Sequence, residues 1–346
     1  MPHKINFASE NYAPVHPQLM EALIEANTGN QPSYGNDDIT RETVQLFKKI
    51  FGDNIDVHFV FNGTGANNFG LSCMVERHHS IFCSDVAHLY VDESNAPEAV
   101  LGCRLYPVKS ANGKIIIDEL KKSIKRIGDV HHPQPKVISL TQPTEYGTVY
   151  TLDELKAIKD ICTANNMLLH VDGARFFNAA AGLNVSLAAL SSEAGVDVLT
   201  LGGTKTGLMF GEAVIFFNPA ANNPYRFNLK RSMQLASKNR FIAAQFKRLL
   251  QDNLWREIAA HTNTLAKEFQ KQVASIPSVN VAYPIETNAV FLNMPRELYD
   301  KMQQYANFYF WNDDKSEARL IFSFNNTIEE IMEFATGLRE TKLTKF

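Results

Sequence analysis

The sequence has little cysteine, no excess of charge of either sign and no long apolar run. Its four cysteines among 346 residues are too few and too scattered for a disulfide scaffold or a zinc ribbon. With 34 basic and 37 acidic side chains, the net charge of −3 offers no electrostatic attraction for nucleic acid or for an anionic membrane. No apolar run approaches the roughly 20 residues that span a bilayer, and the first residues lack the apolar stretch of a signal peptide. We therefore expect a cytoplasmic protein that has neither nucleic acid nor a membrane as its partner.

Histidine is also too dispersed for a metal centre. The doublets His78–His79 and His131–His132 lack the spacing with which side chains ligate a metal ion, so we expect no metal site. What the sequence does have is a composition of 45% hydrophobic and 21% charged residues. This balance is typical of a globular protein with a large core.

Short apolar segments alternate with helical patterns through the first two-thirds of the chain. The predicted strands are Val57–Phe61, Ser80–Cys83, Arg104–Val108, Lys136–Thr141, Met167–Val171, Val196–Leu201 and Ala213–Phe217. The predicted helices between them are Asn67–Arg77, Ile117–Ile127, Leu152–Asn165 and Leu187–Ala194. Thr151 and Glu154 have the spacing of a capping box at the start of the third helix. This alternation predicts an α/β fold, with a mostly parallel mixed sheet, helices on both faces, and ligands beyond the carboxyl ends of the strands.

The pattern changes in the last third of the chain. Two long amphipathic helices are predicted over Lys230–Leu250 and Leu254–Ile276, with no strand between them. Shorter strand candidates follow at Val279–Ala282, Ala289–Asn293, Phe308–Phe310 and Arg319–Phe324. We therefore predict a large domain over residues 1–250, including an N-terminal arm, and a smaller α+β domain over residues 251–346. Ala220–Pro224 is expected to form a surface loop.

A glycine-rich turn follows the first predicted strand. Asn62-Gly63-Thr64-Gly65 leads into a helix, where backbone N–H groups and a threonine hydroxyl can bind a phosphate. The motif is neither a Walker loop nor a GxGxxG fingerprint, and a plain tight turn is the alternative.

Two titratable residues follow other predicted strands. His88 comes shortly after Ser80–Cys83, where it could stack on a ring or exchange protons, or could be a structural histidine. Asp172 directly follows Met167–Val171, and a buried carboxylate there needs a cation. That cation could be the nearby Arg175 or a ligand such as a protonated ring nitrogen.

Lys205 is the most unusual residue of the sequence. It lies in Gly202-Gly203-Thr204-Lys205-Thr206-Gly207, directly after a strand that we expect to be buried. Lysine is rarely buried, and where it is, its pKa falls and it can act as a Schiff-base nucleophile. An exposed loop lysine is the alternative.

Together these features predict a site for pyridoxal 5'-phosphate. Lys205 would bind the cofactor covalently through a Schiff base, Asp172 would keep the ring nitrogen protonated, and His88 would stack on the ring. The residues expected at the phosphate are Gly63, Thr64, Gly65 and Thr204. Each motif is weak alone, but a phosphate turn, a histidine, an aspartate and a lysine at successive strand ends form a specific combination.

Several longer motifs extend this combination over nearly the whole chain. They are Phe7–Tyr12, Tyr34–Asp38, Phe61–Thr64, Ala87–His88, His170–Arg175, Gly202–Lys205, Gln234–Lys238 and Ala318–Arg319. In these motifs the chain resembles the low-specificity L-threonine aldolase and phenylserine aldolase family, a β-eliminating-lyase-like group of fold type I pyridoxal-phosphate enzymes. The resemblance implies the fold type I architecture and the same roles for Lys205, Asp172 and His88.

The resemblance also implies a substrate-binding group. Ser9, Arg175 and Arg319 would gather around the substrate carboxylate or the phenolic oxygen of the cofactor, where Arg175 would contact both ligands. Two arginines can clamp a carboxylate bidentately and so orient the amino acid for bond cleavage.

Family members build each site across a subunit interface, so the resemblance implies a homodimer or homotetramer. Tyr34 would reach the substrate in a neighbouring subunit's site, and Lys238 or Arg231 would reach the cofactor there.

One loop departs from the better-known branch of the family, in which a histidine after the fourth strand approaches the substrate hydroxyl. Here that loop is Gln142-Pro143-Thr144-Glu145-Tyr146-Gly147, with Glu145 at the equivalent position. The phenylserine-type branch has a similar Thr-Glu pair, which makes the departure a subfamily trait. The base for the β-hydroxyl proton therefore stays open among His88, Glu145 and an ordered water, and Tyr146 could favour an aromatic aldehyde.

The favoured function is cleavage of L-threonine, L-allo-threonine or related β-hydroxy-α-amino acids to glycine and an aldehyde. β-Elimination, racemisation or transamination with the same cofactor is the second interpretation, because the same lysine and aspartate serve all of these reactions. A non-catalytic phosphate- or nucleotide-binding α/β protein is the third.

Overall fold

The computed structural model describes residues 4–218 and 225–343, so the predicted loop Ala220–Pro224 lies outside the described residues. The strands are β1 (Ile5–Asn6), β2 (Asp56–Val60), β3 (His79–Ser84), β4 (Arg104–Val108), β5 (Ser110–Ala111), β6 (Lys114–Ile115), β7 (Gln134–Thr141), β8 (Leu168–Gly173), β9 (Val198–Gly202), β10 (Glu212–Phe216), β11 (Asn280–Val281), β12 (Ala289–Asn293), β13 (Ala306–Asn307), β14 (Tyr309–Asn312) and β15 (Glu317–Ile321). The helices are α1 (Pro17–Ala26), α2 (Asp38–Phe51), α3 (Gly63–Ser72), α4 (His88–Val91), α5 (Ala96–Leu101), α6 (Ile117–Ser123), α7 (Leu152–Ala164), α8 (Phe176–Leu183), α9 (Tyr225–Arg231), α10 (Arg240–Leu250), α11 (Leu254–Val273), α12 (Arg296–Met302) and α13 (Ile328–Glu340).

A seven-stranded sheet in the order β2-β10-β9-β8-β7-β3-β4 is formed by the first part of the chain. The pairs from β9 to β4 are parallel, whereas β10 is antiparallel to both of its neighbours. All seven strands predicted for this region are present, and the prediction of a mostly parallel sheet is confirmed. The carboxyl ends of the parallel strands therefore meet at one edge of the sheet.

Helices cover both faces of this sheet because its strands are apolar on both sides. Leu199 and Leu201 of β9 pack in one core with Phe246 of α10, while Val198 packs in another core with Phe69 of α3. Each such side chain, when fully buried, contributes roughly 1.5–3 kcal/mol to folding. Of the helices within residues 4–218 and 225–343, none is long and apolar enough to cross a membrane.

A second sheet in the order β11-β12-β15-β14 is antiparallel and packs against α11 and α13. The N-terminal residues join this unit, because β1 pairs with β13 and the Phe7 ring lies 5.1 Å from Phe322 and 5.4 Å from Phe334. The segment after Phe7 thus runs between the two sheets. The division into domains of residues 1–250 and 251–346 stays a prediction.

The predicted helix over Leu187–Ala194 is wrong, because this segment forms irregular turns. Its backbone hydrogen bonds have mixed spacing, and the Ser191 hydroxyl donates to the Leu187 carbonyl at 2.7 Å. Serine side chains that bond to nearby backbone groups compete with regular helix formation.

The predicted single helix over Lys230–Leu250 is also wrong, because it is divided into the end of α9 and the whole of α10. Met233 has a φ of +60°, which a continuing helix does not allow. The next residue, Gln234, turns inward, and its side-chain oxygen accepts the Phe61 backbone N–H at 3.0 Å. The break therefore ties this segment to the end of β2.

Candidate active site

The carboxyl ends of β3, β7, β8 and β9 frame a group of polar side chains. Sheet register places Thr141 beside Asp172, and Asp172 beside Thr200. Two adjoining cavities of about 370 Å³ each open at this edge. The residues that line both are Asn11, Gly63, His88, Asp172, Ala174 and Lys205. We refer to the two cavities together as the cleft.

Most of the predicted site residues line the cleft. They are Ser9, Gly63, Thr64, His88, Glu145, Asp172, Arg175, Thr204, Lys205 and Arg319. Tyr34 and Arg231 instead line two other cavities, and Lys238 is exposed. That these three serve a neighbouring subunit's site stays a prediction.

Lys205 is partly buried in the turn after β9 and lines both cavities. Burial lowers the pKa of its amine, and the positive charge of Arg175 lowers it further. Glycines allow the turn to approach its neighbours, since a Cβ on Gly202 would lie 2.2 Å from the Ala174 carbonyl oxygen. The turn thus presents an amine with an increased neutral, nucleophilic fraction.

Asp172 is buried near the end of β8, and neutral groups hold its carboxylate. Oδ2 accepts a hydrogen bond from the Asn67 amide at 2.8 Å, and Oδ1 accepts the Ala174 N–H at 3.1 Å. The alternative of an Asp172–Arg175 ion pair is wrong within the described residues, because Arg175 pairs with Glu10. Asp172 therefore lines the cleft with each of its oxygens held by a neutral donor.

His88 is the first residue of α4 and is fixed at two points. Its Nδ1 lies 3.0 Å from Oε1 of Glu93, and its backbone N–H donates to Oε1 of Glu145 at 2.7 Å. The hydrogen bond to Glu93 raises the pKa of His88, against the lowering effect of burial. The imidazole lines both cavities.

Glu145 is a buried carboxyl group beside His88. Oε1 accepts the His88 N–H and the Thr141 hydroxyl, the latter at 2.8 Å, while Oε2 is buried and has no partner within residues 4–218 and 225–343. Burial raises the pKa of Glu145 to about 7. A carboxyl group with this pKa can accept or donate a proton at neutral pH.

Arg175 is held in place by a buried carboxylate from the N-terminal segment. Its Nε and Nη2 donate to the two oxygens of Glu10 at 2.6 and 2.8 Å, and Asn288 also donates to Glu10 at 2.8 Å. Burial alone would raise the pKa of Glu10, but the contacts with Arg175 outweigh it and bring the value to about 2. The pair is therefore ionised at every physiological pH.

Arg319 of β15 faces Arg175 from the second sheet and is held mainly by aromatic rings. Its guanidinium carbon lies 4.2 Å from the centre of the Trp311 ring and 5.3 Å from that of Tyr309. Nη2 donates to the Ala8 carbonyl at 3.2 Å, and Nε is buried without a partner. Burial and the charge of Arg175 lower the pKa of Arg319 to about 10, so it stays cationic.

The aromatic rings in the cavity that also contains Arg175 and Arg319 are Tyr309 and Trp311. Tyr146, for which the sequence suggested contact with an aromatic aldehyde, instead stacks on Tyr283 at 4.2 Å and packs against Phe291. Any preference for an aromatic side chain would therefore depend on the rings of β14.

The glycine-rich turn forms the start of α3, which begins four residues earlier than predicted. Asn62 caps the helix by accepting the Gly65 N–H at 2.8 Å, so that N–H is bonded within the protein. Gly65 also packs against Gln234, whose side chain would lie 2.3 Å from an added Cβ. Gly63 and Thr64 line the cleft at the positive end of the helix.

Thr204 and Glu212 tie the lysine turn to β10. The Thr204 hydroxyl donates to Glu212 at 2.8 Å and accepts the Gly211 N–H at 3.1 Å, and the Gly203 N–H donates to Glu212 at 2.5 Å. Burial raises the pKa of Glu212 to about 7. The only hydroxyl hydrogen of Thr204 is therefore bonded to Glu212.

Sequence reasoning missed several residues that hold the predicted ones in place. They are Glu10, Asn67, Glu93 and Glu212, together with the cleft-lining rings Tyr309 and Trp311. Glu212 had a detectable signal, because a carboxylate directly before an apolar strand needs donors when it is buried. Glu10 lies inside the Phe7–Tyr12 motif, whereas Glu93 and Asn67 had no signal at the sequence level.

Comparisons with known proteins agree with this arrangement. A family model described as beta-eliminating lyase matches residues 6–296. The low specificity L-threonine aldolase of Pseudomonas aeruginosa is 39% identical to this chain, and the match covers 97% of this chain and 98% of the relative. The low specificity L-threonine aldolase of Saccharomyces cerevisiae is 27% identical, and the match covers 83% of this chain and 73% of the relative. A threonine aldolase structure from Leishmania major has a TM-score of 0.91 at 25% identity and covers 96% of this chain and 98% of its own. The predicted fold type I class is confirmed by these matches.

Proposed function

The chain belongs to the beta-eliminating lyase family, as a lyase of the threonine aldolase type, and we propose that it cleaves L-threonine, L-allo-threonine or related β-hydroxy-α-amino acids to glycine and an aldehyde. The family depends on pyridoxal 5'-phosphate, and in our proposal this chain binds the cofactor in the cleft. The observation that carries the proposal is the position of Lys205 beside Asp172 and His88 in one cleft that also contains two arginines.

The side chains of the cleft suit this cofactor. Each oxygen of Asp172 accepts one hydrogen bond and keeps a lone pair for a protonated ring nitrogen, while Lys205 offers its amine and His88 a ring face. Gly63, where an added Cβ would meet no atom within 4 Å, and Thr64 lie at a helix N-terminus suited to a phosphate. When bound, the cofactor supplies an electron sink for the bonding pair released at the substrate Cα.

Arg319 is the proposed anchor for the substrate carboxylate. Its unpartnered Nε and its guanidinium plane, stacked on Trp311, are ready to form a two-point contact. Arg175 is oriented by Glu10 and adds a second positive charge at the same end of the cleft. Fixing the carboxylate limits rotation of the amino acid, so that one bond of Cα is presented for cleavage.

Glu145 is the proposed acceptor of the β-hydroxyl proton. Among the described residues its Oε2 has no hydrogen-bond partner, and its pKa of about 7 leaves a substantial ionised fraction at neutral pH. His88 lies beside it and is the competing base. Substitution of Glu145 by glutamine discriminates between them, because it removes the carboxyl base and leaves the His88 imidazole in place.

A homodimer or homotetramer with sites at the subunit interface is the proposed assembly. Large apolar side chains are exposed at the cleft, with exposures of 37% for Phe61 and 38% for Phe210, and the neighbouring Met209 is 46% exposed. Contiguous exposed apolar side chains are typical of surfaces that bind another protein. Tyr34, Lys238 and Arg231 are the residues proposed to enter the neighbouring subunit's site.

Product analysis tests the proposed reaction. The cofactor-loaded protein is incubated with L-threonine, and glycine, acetaldehyde and 2-oxobutanoate are quantified. We expect glycine and acetaldehyde in equal amounts. Formation of 2-oxobutanoate would instead indicate β-elimination, and a protein that shows no Schiff-base absorbance after addition of the cofactor would contradict both reactions.

A further inference from the structure

A buried glutamate behind His88 has no part in the function proposed above. The Glu93 side chain is fully buried, with 0% of its surface exposed, and its Oε1 lies 3.0 Å from Nδ1 of His88. Its other oxygen, Oε2, is buried and has no hydrogen-bond partner in the described part of the chain. A buried carboxylate is strongly destabilising unless donors compensate it, so the hydrogen bond from His88 is important for keeping Glu93 in this position.

Asn67 gives this contact a fixed geometry. One amide nitrogen, Nδ2, donates to Glu93 at 2.9 Å and to Asp172 at 2.8 Å, so both of its hydrogens are used. If the amide were flipped, its oxygen would face the two carboxylates and be repelled by them. The orientation with Nδ2 toward the carboxylates is therefore the one that forms. Glu93 is therefore held at one place relative to both His88 and Asp172.

The hydrogen bond also selects between the two nitrogens of the imidazole. A carboxylate can only accept, so Nδ1 must carry the proton, and Nε2 is then the nitrogen available to the cleft. In zinc proteins the same kind of contact fixes a histidine's tautomer and ring orientation, and its loss reduces function.

We propose that Glu93 is a positioning residue that keeps the proton of His88 on Nδ1 and holds its ring so that Nε2 faces the cleft. The proposal rests on the function proposed above, in which the His88 ring stacks on the cofactor and competes with Glu145 as the base. It adds a requirement for a carboxylate at position 93.

Charges from several elements act on His88. Glu93 and Asp172 favour the protonated imidazole, whereas burial and Lys205 oppose it, and the pKa of His88 is raised overall. Glu145 contacts the His88 backbone N–H from the loop after β7. Removal of the Glu93 charge should therefore lower the pKa of His88 while the other groups stay in place.

The test compares Glu93→Gln with Glu98→Gln in the apoprotein. Glu93→Gln keeps the side-chain shape and removes its charge. Glu98→Gln is the matched control, because Glu98 follows on α5 and accepts the Leu105 backbone N–H without touching His88. The imidazole nitrogens are followed by ¹⁵N NMR across a pH titration, with His88→Asn used to assign the signal among the ten histidines.

We expect the neutral His88 of the wild type and of Glu98→Gln to be protonated on Nδ1. In Glu93→Gln the tautomers should be mixed and the titration midpoint should be lower. An unchanged tautomer and midpoint in a folded Glu93→Gln protein would overturn the proposal. Because the NMR measurement needs neither cofactor nor substrate, it tests the role of Glu93 even if the protein does not catalyse the proposed reaction.

Activity supplies a second readout. Glu93→Gln should reduce kcat by about 10-fold or more while KM changes little, because proton transfer and ring orientation are affected rather than substrate binding. Glu93→Asp, which keeps the charge, should recover part of the loss. Equal activity of Glu93→Gln and the wild type would also overturn the proposal.

Discussion

The edge of the large sheet and the edge of the second sheet hold their charged groups in different ways. At the large sheet, Asp172, Glu145 and Glu212 are buried carboxyl groups that accept hydrogen bonds from backbone, hydroxyl and amide donors. At the second sheet, Arg319 packs against the Tyr309 and Trp311 rings, and its Nε has no partner among the described residues.

This difference suggests that the two sheet edges have different functions. Multiple short hydrogen bonds fix the atoms around Lys205, as binding and orientation of a cofactor require. Aromatic packing fixes the plane of the Arg319 guanidinium without using its N–H groups, so that those not bonded to Ala8 can contact a ligand that binds and dissociates. We therefore propose that the large sheet carries the chemistry and that Arg319 of the second sheet is the main anchor of the amino acid, with Arg175 as a second positive charge.

Lys205→Ala should have the largest effect, because it removes the only group proposed to bond covalently to the cofactor. We expect the Schiff-base absorbance to disappear and kcat to fall by about 10⁴-fold or more. Lys121→Ala, at an exposed position of α6, is the control and should behave like the wild type. If the Lys205→Ala protein retained the absorbance band, Lys205 would not be the residue that forms the Schiff base with the cofactor.

Glu145→Gln should have the next largest effect and should change the pH profile. A carboxyl base is active when ionised, so with a pKa of about 7 the wild-type kcat should rise as pH increases through 7. In Glu145→Gln this rise should be absent, and kcat at pH 8 should be about 10–100-fold lower. If cleavage of L-threonine were equally fast in both proteins, Glu145 would be dismissed as the base.

Trp311→Leu should have a smaller effect that is confined to substrate binding. A cation–π contact contributes about 1 kcal/mol, so KM for L-threonine should increase about 5-fold with little change in kcat. Phe310→Leu is the control, because Phe310 lies on the same strand but packs with the core of the second sheet. A decrease in kcat rather than a rise in KM in Trp311→Leu would assign the second sheet a role in the chemistry.

Sequence patterns were sufficient for the large sheet and for the residues at its strand ends. Buried parallel strands are continuous apolar runs, so their ends, and with them His88, Asp172 and Lys205, can be located along the chain. The breaks in helical structure near Met233 could not be predicted, because they depend on the packing of Gln234 against β2.

The partners of the predicted residues were not visible in the sequence. Glu10 and Arg175 are 165 positions apart, and Asn67 and Asp172 are 105 positions apart. Such pairs form only when the N-terminal segment and α3 pack against the sheet edge, and no local periodicity encodes that packing. Glu93 is only five positions from His88, but its contact with Asn67, 26 positions away, likewise depends on how α3 packs.

The most direct test of the different functions of the two sheets is a pair of measurements on the Arg319→Gln protein. The dissociation constant of pyridoxal 5'-phosphate and the kcat/KM for L-threonine are measured on the same preparation and compared with the wild type. We predict that cofactor affinity changes by no more than about 2-fold while kcat/KM falls by about 10²–10³-fold, because a two-point charged contact with the substrate is lost. A comparable loss of cofactor affinity would show that Arg319 belongs to the cofactor site and would contradict the account.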